Sequence, residues 1–308
     1  MKKIIFDTDL GGDCDDVTAL DLIMSADRTG DCELIGVTYS DIDRKGPACI
    51  YAVLKEYGYE KIPVGRLTTE KTVERKYAGP VADKFASFEG APAYENTPDA
   101  TELLKKLLRE NDNVTMIVTG MLSNLANLLK DEEGRELIDK KVDEIDIMAC
   151  NFWHQNCINP VPGFIDENGS PRPVCEWNVY CDIPAARFVF DTCPVKIVVS
   201  PFELGNGLLS GGKMRDHGGT DKADSYSFIV FGAEGKGRDS WDPCTALYGI
   251  YGASPWFYKT NPGRVTIDGE GVSHFSTLGG GPHSIIEAAL TKEEIGDEID
   301  RLIARLYE

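Results

Sequence analysis

The chain has 308 residues, and its 51 Asp plus Glu against 32 Lys plus Arg give a formal charge of -19. That balance argues against nonspecific nucleic-acid binding and against attraction to anionic membrane surfaces, because both demand concentrated positive charge. With 42% hydrophobic residues and no evident linker, the chain is expected to bury one large core as a single domain over residues 1–308.

No apolar run of signal-peptide length precedes Asp7, and no segment has the length of a membrane span, so a cytoplasmic protein is expected. Lys3 to Phe6 predicts a buried strand that ends in Asp7-Thr8-Asp9-Leu10-Gly11-Gly12-Asp13-Cys14-Asp15-Asp16, five carboxylates in ten residues. Val17, Ala19, Leu20, Leu22 and Ile23 then follow with helical spacing. The acidic turn therefore joins a strand's C-terminal edge to a helix N-terminus, where open α/β sheets place their ligands. Capping of the helix would explain one or two of these acids. It does not explain Asp7 and Asp9, which lie two apart and point to one side of an extended strand. Crowded carboxylates call for protonation, exposure or a cation, and oxygen-only ligands favour Ca²⁺ or Mg²⁺.

Cys32 to Tyr39 predicts a second strand, Pro47 to Tyr57 a helix, and Ile62 to Gly65 a short extended piece. This β-α-β-α progression implies an open, mostly parallel or mixed sheet covered by helices. Residues 66–96 are irregular and suggest a surface insertion or active-site loop. A helix over Pro98 to Leu108 with Thr97 as its cap, and a strand over Val114 to Val118, lead into Thr119-Gly120-Met121-Leu122-Ser123-Asn124. Val142 to Met148 predicts another strand. Residues 151–174 then form a long, proline-interrupted connection, more fitting as a binding wall than as a spacer. Helices are expected from Ile183 to Val189 and from Trp241 to Tyr251, and a strand from Val195 to Val199. A small hairpin is expected over Val265–Ile267 and Val272–Phe275, a helix over Ser284 to Leu290, and an acidic C-terminal helix. The nine cysteines are odd in number and scattered, which suggests thiols in a reducing compartment.

Residues 7–19 resemble the calcium-dependent nucleoside hydrolase family, whose opening pattern is Asp-x-Asp-x-Gly-x-Asp-Asp before an apolar helix. Here two residues are inserted, as in a divergent branch. Three further segments continue the resemblance in order: Thr119 to Ala126, Glu176-Trp177-Asn178 before Ile183-Pro184-Ala185-Ala186, and Trp241-Asp242-Pro243. The resemblance implies a Rossmann-type α/β fold, a bound Ca²⁺, and hydrolysis of the N-glycosidic bond of a small-molecule nucleoside or N-riboside. It implies Asp9, Asp16, Asp242 and the Ser123 carbonyl as metal ligands, with Asp9 also the general base. Asp15, Glu176 and Asn178 would contact ribose, with Asp13 and Asp15 open to exchange of roles. Asn151 and Asn168, in the connection, are further candidate substrate contacts. A homodimer or homotetramer is implied as well.

The departures bear on the leaving group. The family's histidine before the last metal-binding aspartate is Trp241 here, so no acid stands at that position, and Ala149-Cys150 replaces a Gly-Gly pair. Trp241 either stacks on the base or fills the pocket wall, and His154 is the candidate replacement acid. Two other readings compete: a sugar- or nucleoside-binding protein with altered chemistry, and a metal phosphohydrolase, which lacks a basic phosphate clamp beside the acids.

Overall fold

The computed structural model describes residues 1–68, 77–86, 94–152, 175–213, 217–233, 235 and 237–308. Its strands are β1 (Lys2–Thr8), β2 (Cys32–Tyr39), β3 (Val64–Arg66), β4 (Val114–Val118), β5 (Val142–Met148) and β6 (Lys196–Ser200). There follow β7 (Leu209–Ser210), β8 (Arg238–Asp239), β9 (Phe257–Lys259), β10 (Arg264–Ile267), β11 (Ser273–Ser276) and β12 (His283–Ala288). Eight of them make one sheet in the order β3-β2-β1-β4-β5-β6-β12-β9. Every neighbouring pair in it is parallel except β12 and β9.

The chain runs outward from β1 to β3 and then returns to add β4 on β1's other side. That reversal opens a crevice at the C-terminal ends of β1 and β4, the place where such sheets bind ligands. Ile4 and Phe6 of β1 pack into the core layer containing the helices Asp15–Thr29, Trp241–Tyr251 and Lys292–Ala304. Ile5 packs into the opposite layer, with the helices Ala100–Glu110, Ser123–Lys130 and Ile183–Thr192. Burial on both faces explains why the centre of β1, Ile4-Ile5-Phe6, is an unbroken apolar run where a half-exposed strand would alternate.

Four expectations need correction or limits. The segment predicted as a helix over Ser284 to Leu290 forms β12 instead, pairing His283 with Ile197 and Ile285 with Val199 in parallel register. Ile285 and Ile286 are buried in opposite core layers, so sheet pairing outweighs the helix propensity of the Glu287-Ala288-Ala289 run. The cap of the Ala100–Glu110 helix is Asp99, whose Oδ1 accepts from the Thr101 and Glu102 amides at 2.9 and 3.2 Å, and not Thr97. Of the irregular stretch 66–96, the described part holds a helix at Ala78–Phe85 and a 3-10 turn at Tyr94–Asn96. Residues 153–174 of the second long connection lie outside the described residues. The predicted hairpin is present as β10 and β11. Among the described residues no helix is long and apolar enough to cross a membrane, and eight cysteines are free thiols.

A buried acid pair ties the Asp15–Thr29 helix to the Ala223–Phe231 helix. Asp21 and Asp224 are both fully buried and meet side chain to side chain. Tyr57 donates its hydroxyl to Asp224. Glu56, Lys222 and Tyr307 also face the pair, and His217 stacks on Tyr307 with ring centroids 3.6 Å apart. Burial first, and the charge of Asp224 second, push the Asp21 carboxyl well above the ordinary range, so the folded protein favours the protonated form of this acid more than the unfolded chain does.

The sign of the pH dependence follows. Asp21 binds its proton more tightly folded than unfolded, so its contribution to stability is full below the ordinary Asp pKa of about 4 and is lost as pH rises from there through its folded pKa. Asp21→Asn keeps a hydrogen-bond donor toward Asp224 and removes the ionisation. Chemical denaturation between about pH 4 and pH 7 should show the variant gaining on the wild type as pH rises above the ordinary Asp pKa. A gap that stays constant across that range would contradict the raised Asp21 carboxyl.

Candidate active site

Asp7 stands at the end of β1 and braces the strand exits around it. Its Oδ2 accepts from Thr38 Oγ1 at 2.8 Å and from Asn124 Nδ2 at 3.0 Å, and its carbonyl accepts from the Thr119 amide at 2.7 Å. Burial pushes its pKa up to about 7 despite those bonds. β2 and the Ser123–Lys130 helix therefore meet at one carboxyl oxygen of Asp7, and the exit of β4 is tied to the same residue through its backbone carbonyl.

The turn beyond it delivers Asp15 and Asp16 to the first helical turn of Asp15–Thr29, and the second half of the chain delivers Asp242 to the first turn of Trp241–Tyr251. One carboxylate oxygen from each of the three lies within 4.8 Å of the others, and all three residues are buried. Two helix N-termini bring partial positive charge to this cluster. The Asp242 amide donates to Asp15 Oδ2 at 3.1 Å, and Thr8 Oγ1 donates to Asp16. These bonds do not neutralise the cluster. Burial, then repulsion from neighbouring acids, holds Asp15, Asp16 and Asp242 well above the ordinary carboxyl range.

Asp9 lies outside this group of three, but its charge raises Asp16, Asp242 and, to a lesser degree, Glu176. It is 7% exposed, and it sits against Gly120 at the exit of β4. A Cβ on Gly120 would fall 2.6 Å from the Asp9 amide nitrogen and 3.0 Å from its Cβ, and would strike Ser40 Oγ. The glycine lets the two strand exits close on each other.

Glu176 caps the short Trp177–Cys181 helix, accepting from the Asn178 amide at 2.9 Å and from the Val179 and Cys150 amides at 3.2 Å each. Burial raises its pKa to about 7 against those three bonds. Cys150 reaches Glu176 from a left-handed backbone, φ 75°, a conformation that glycine adopts without strain. Asn178 Nδ2 donates to the Thr119 carbonyl at 2.8 Å and the Met148 carbonyl at 3.1 Å, tying the ends of β4 and β5 together. Asn151 is fully buried just beyond β5. Ser123 is buried at the start of its helix, and its Oγ donates to Asp182 at 2.7 Å.

Trp241 packs on Phe202 with ring centroids 5.4 Å apart and an interplanar angle of 23°, and its Nε1 donates to the Phe202 carbonyl at 2.9 Å. One face and the only polar atom of the indole are thus engaged by the protein. His154 and Asn168 lie outside the described residues. Sequence reasoning passed over Arg238, which grips Asp13, and the brace from Asn124. The Gly-Arg-Asp-Ser run leading into Trp241 was the only available signal for the former. A cavity of about 290 Å³ opens beside Glu203, Ile286 and Lys292 and includes none of the candidate site residues.

A sequence search of curated proteins found no match. Solved structures give the fold. An inosine-uridine preferring nucleoside hydrolase from Bacillus anthracis superposes with a TM-score of 0.72 at 20% identity, covering 100% of this chain and 99% of the other. A purine-preferring ribonucleoside hydrolase from Gardnerella vaginalis gives 0.70 at 16% identity, covering 99% of each chain. The type III effector XopQ, solved with adenosine diphosphate ribose, gives 0.68 at 16% identity over 99% of this chain and 93% of the other. The sequence profile that carries the identification matches residues 4–278, and the chain belongs to the inosine-uridine preferring nucleoside hydrolase family.

Proposed function

We propose that the protein hydrolyses the N-glycosidic bond of a ribonucleoside or related N-riboside, giving ribose and a free base. The observation that carries this reading is the meeting of three buried carboxylates from the two halves of the chain, beside Asp9 and at the reversal point of the sheet. The donor set is all oxygen and its acids are held above their ordinary range by burial and mutual repulsion. That combination fits a hard divalent cation, and family membership favours Ca²⁺. Asp9, Asp16, Asp242 and the Ser123 carbonyl would hold it, and Asp15 stands close enough to share it while facing the ribose. When bound, the cation would supply positive charge that acidifies a water and polarises the ribose hydroxyls.

The chain's own residues do the rest. Asp9 takes a proton from the water that attacks the anomeric carbon. Positive charge developing on the sugar is stabilised by the carboxylates of Asp15 and Glu176. Three amides fix the orientation of Glu176, and Asn178 commits its amide hydrogens to Thr119 and Met148, so its Oδ1 is the atom presented to a hydroxyl. Such fixed groups orient the sugar as well as bind it. Trp241 cannot protonate the departing base, because indole N–H is not an acid in this range and is bonded to Phe202. Substrates whose base leaves readily are therefore favoured, with His154 as the proposed donor for others. As part of the same reading, family resemblance suggests a homodimer or homotetramer, and the sequence pattern a cytoplasmic protein. A second reading, binding of a riboside without turnover, is favoured by the same engagement of Trp241.

Two experiments test this. A panel of natural N-ribosides, deoxyribosides and p-nitrophenyl riboside, assayed for free base and ribose with Ca²⁺ present, should show turnover that requires the ribose hydroxyls and is fastest on the activated leaving group. Binding of ribosides with no base released would favour the second reading, and phosphate released from phosphoesters would favour a phosphohydrolase. In Asp9→Asn, size is kept and basicity removed, so single-turnover hydrolysis should fall about 10²–10⁴-fold at matched cation and substrate occupancy. Equal rates would reject Asp9 as the base.

A further inference from the structure

The expanded acidic turn contains one aspartate with a different partner from the rest. Arg238 Nε lies 2.8 and 3.0 Å from the two Asp13 carboxylate oxygens, and its Nη2 lies 2.6 Å from Oδ2. The side chains are only 23% and 27% exposed. A forked contact of this kind is stronger and more directional than an exposed ion pair. Arg238 Nη1 also bonds Asp239 at 3.1 Å, and the guanidinium lies 5.0 Å from the Trp241 ring. On the turn's other side, Tyr77 donates its hydroxyl to the Asp13 carbonyl at 2.5 Å and its amide to the Gly11 carbonyl at 3.1 Å. The inserted residues are gripped from two directions.

Position gives this pair its consequence. Arg238 lies four residues before Asp242, and Asp13 lies two and three residues before Asp15 and Asp16. The ion pair thus joins the two chain halves that supply the carboxylate cluster, next to the bond from the Asp242 amide to Asp15. We propose that Arg238 is a positioning residue: by locking Asp13 it sets the separation of Asp15 and Asp16 from Asp242, and it withholds Asp13 from the cation's ligands. This rests on the reading that the cluster binds Ca²⁺.

Two effects of removing Arg238 have opposite signs. Its positive charge acts on Asp15, so by charge alone its loss should tighten binding of a cation. Loss of the lock should weaken it, because the three carboxylates would no longer be held at one spacing. Calorimetric titration of Ca²⁺ into wild type, Arg238→Met, Arg238→Lys, Asp13→Asn and the Arg238→Met/Asp13→Asn double variant separates them, using samples matched by circular dichroism. The lock predicts that each single variant loses about tenfold or more in Ca²⁺ affinity. It also predicts that the double variant is no weaker than the worse single one, and that Arg238→Lys, which keeps the charge but not the fork, fails to restore binding. Unchanged or tighter binding in Arg238→Met and Asp13→Asn would overturn the proposal. If Arg238→Met does not fold, the nearly isosteric Asp13→Asn decides by the same criterion. A wild type that binds no Ca²⁺ would overturn the cation reading itself, an outcome distinct from failure of the lock.

Discussion

Repulsion among buried carboxylates at the C-terminal end of β1 is the constraint around which the rest of the structure is arranged. Asp15, Asp16 and Asp242 are brought within 4.8 Å of one another away from solvent, and each is held above its ordinary range first by burial and then by neighbouring acids. Left alone, such a group either takes up protons or pushes apart. The surrounding elements supply partial compensation: two helix N-termini, the Thr8 hydroxyl, the Asp242 amide, and the Arg238 guanidinium one step removed. A divalent cation would supply the remainder, which is why the free energy invested in the crowding points toward binding.

The surroundings of Glu176 and Asn178 are built on a different principle, in which backbone groups fix two side chains and those side chains fix the strand ends. Glu176 takes three amides, one of them from Cys150 in a left-handed conformation, and Asn178 bridges β4 and β5. Gly120 allows the β4 exit to reach Asp9. The two halves of the site therefore share a border at Thr119 and Asp9, and a displacement on one side is felt on the other. Trp241 is packed closely by its neighbours: its ring lies on Phe202, and a Cβ on Gly205 would fall 2.5 Å from Trp241 Cα.

Much of this was legible in the sequence, for identifiable reasons. β1 announced itself because Ile4, Ile5 and Phe6 form an unbroken apolar run buried on both faces, and the acidic turn stood out because so much like charge in one place calls for protonation, exposure or a cation. The β-α-β-α progression carried the mostly parallel sheet, and the ordered segments at Thr119, Glu176 and Trp241 carried the family. The edge was less legible. Ser284 to Leu290 has helical composition and becomes β12 only because β6 offers a parallel partner far away in sequence. Nor could spacing show that Asp13 is bonded to Arg238 while Asp15 joins the cluster, since the partner lies 225 residues further on. Long-range pairing is what periodicity does not encode.

The central claim is that the cluster is a calcium site shared by both halves of the chain. A crystal grown with Ca²⁺ and mapped by anomalous scattering tests it most directly. The account predicts one strong peak bounded by carboxylate oxygens of Asp9, Asp16 and Asp242 and by the Ser123 carbonyl, with Asp13 still on Arg238. Protonated, metal-free carboxylates at saturating Ca²⁺, or a peak placed elsewhere, would contradict it.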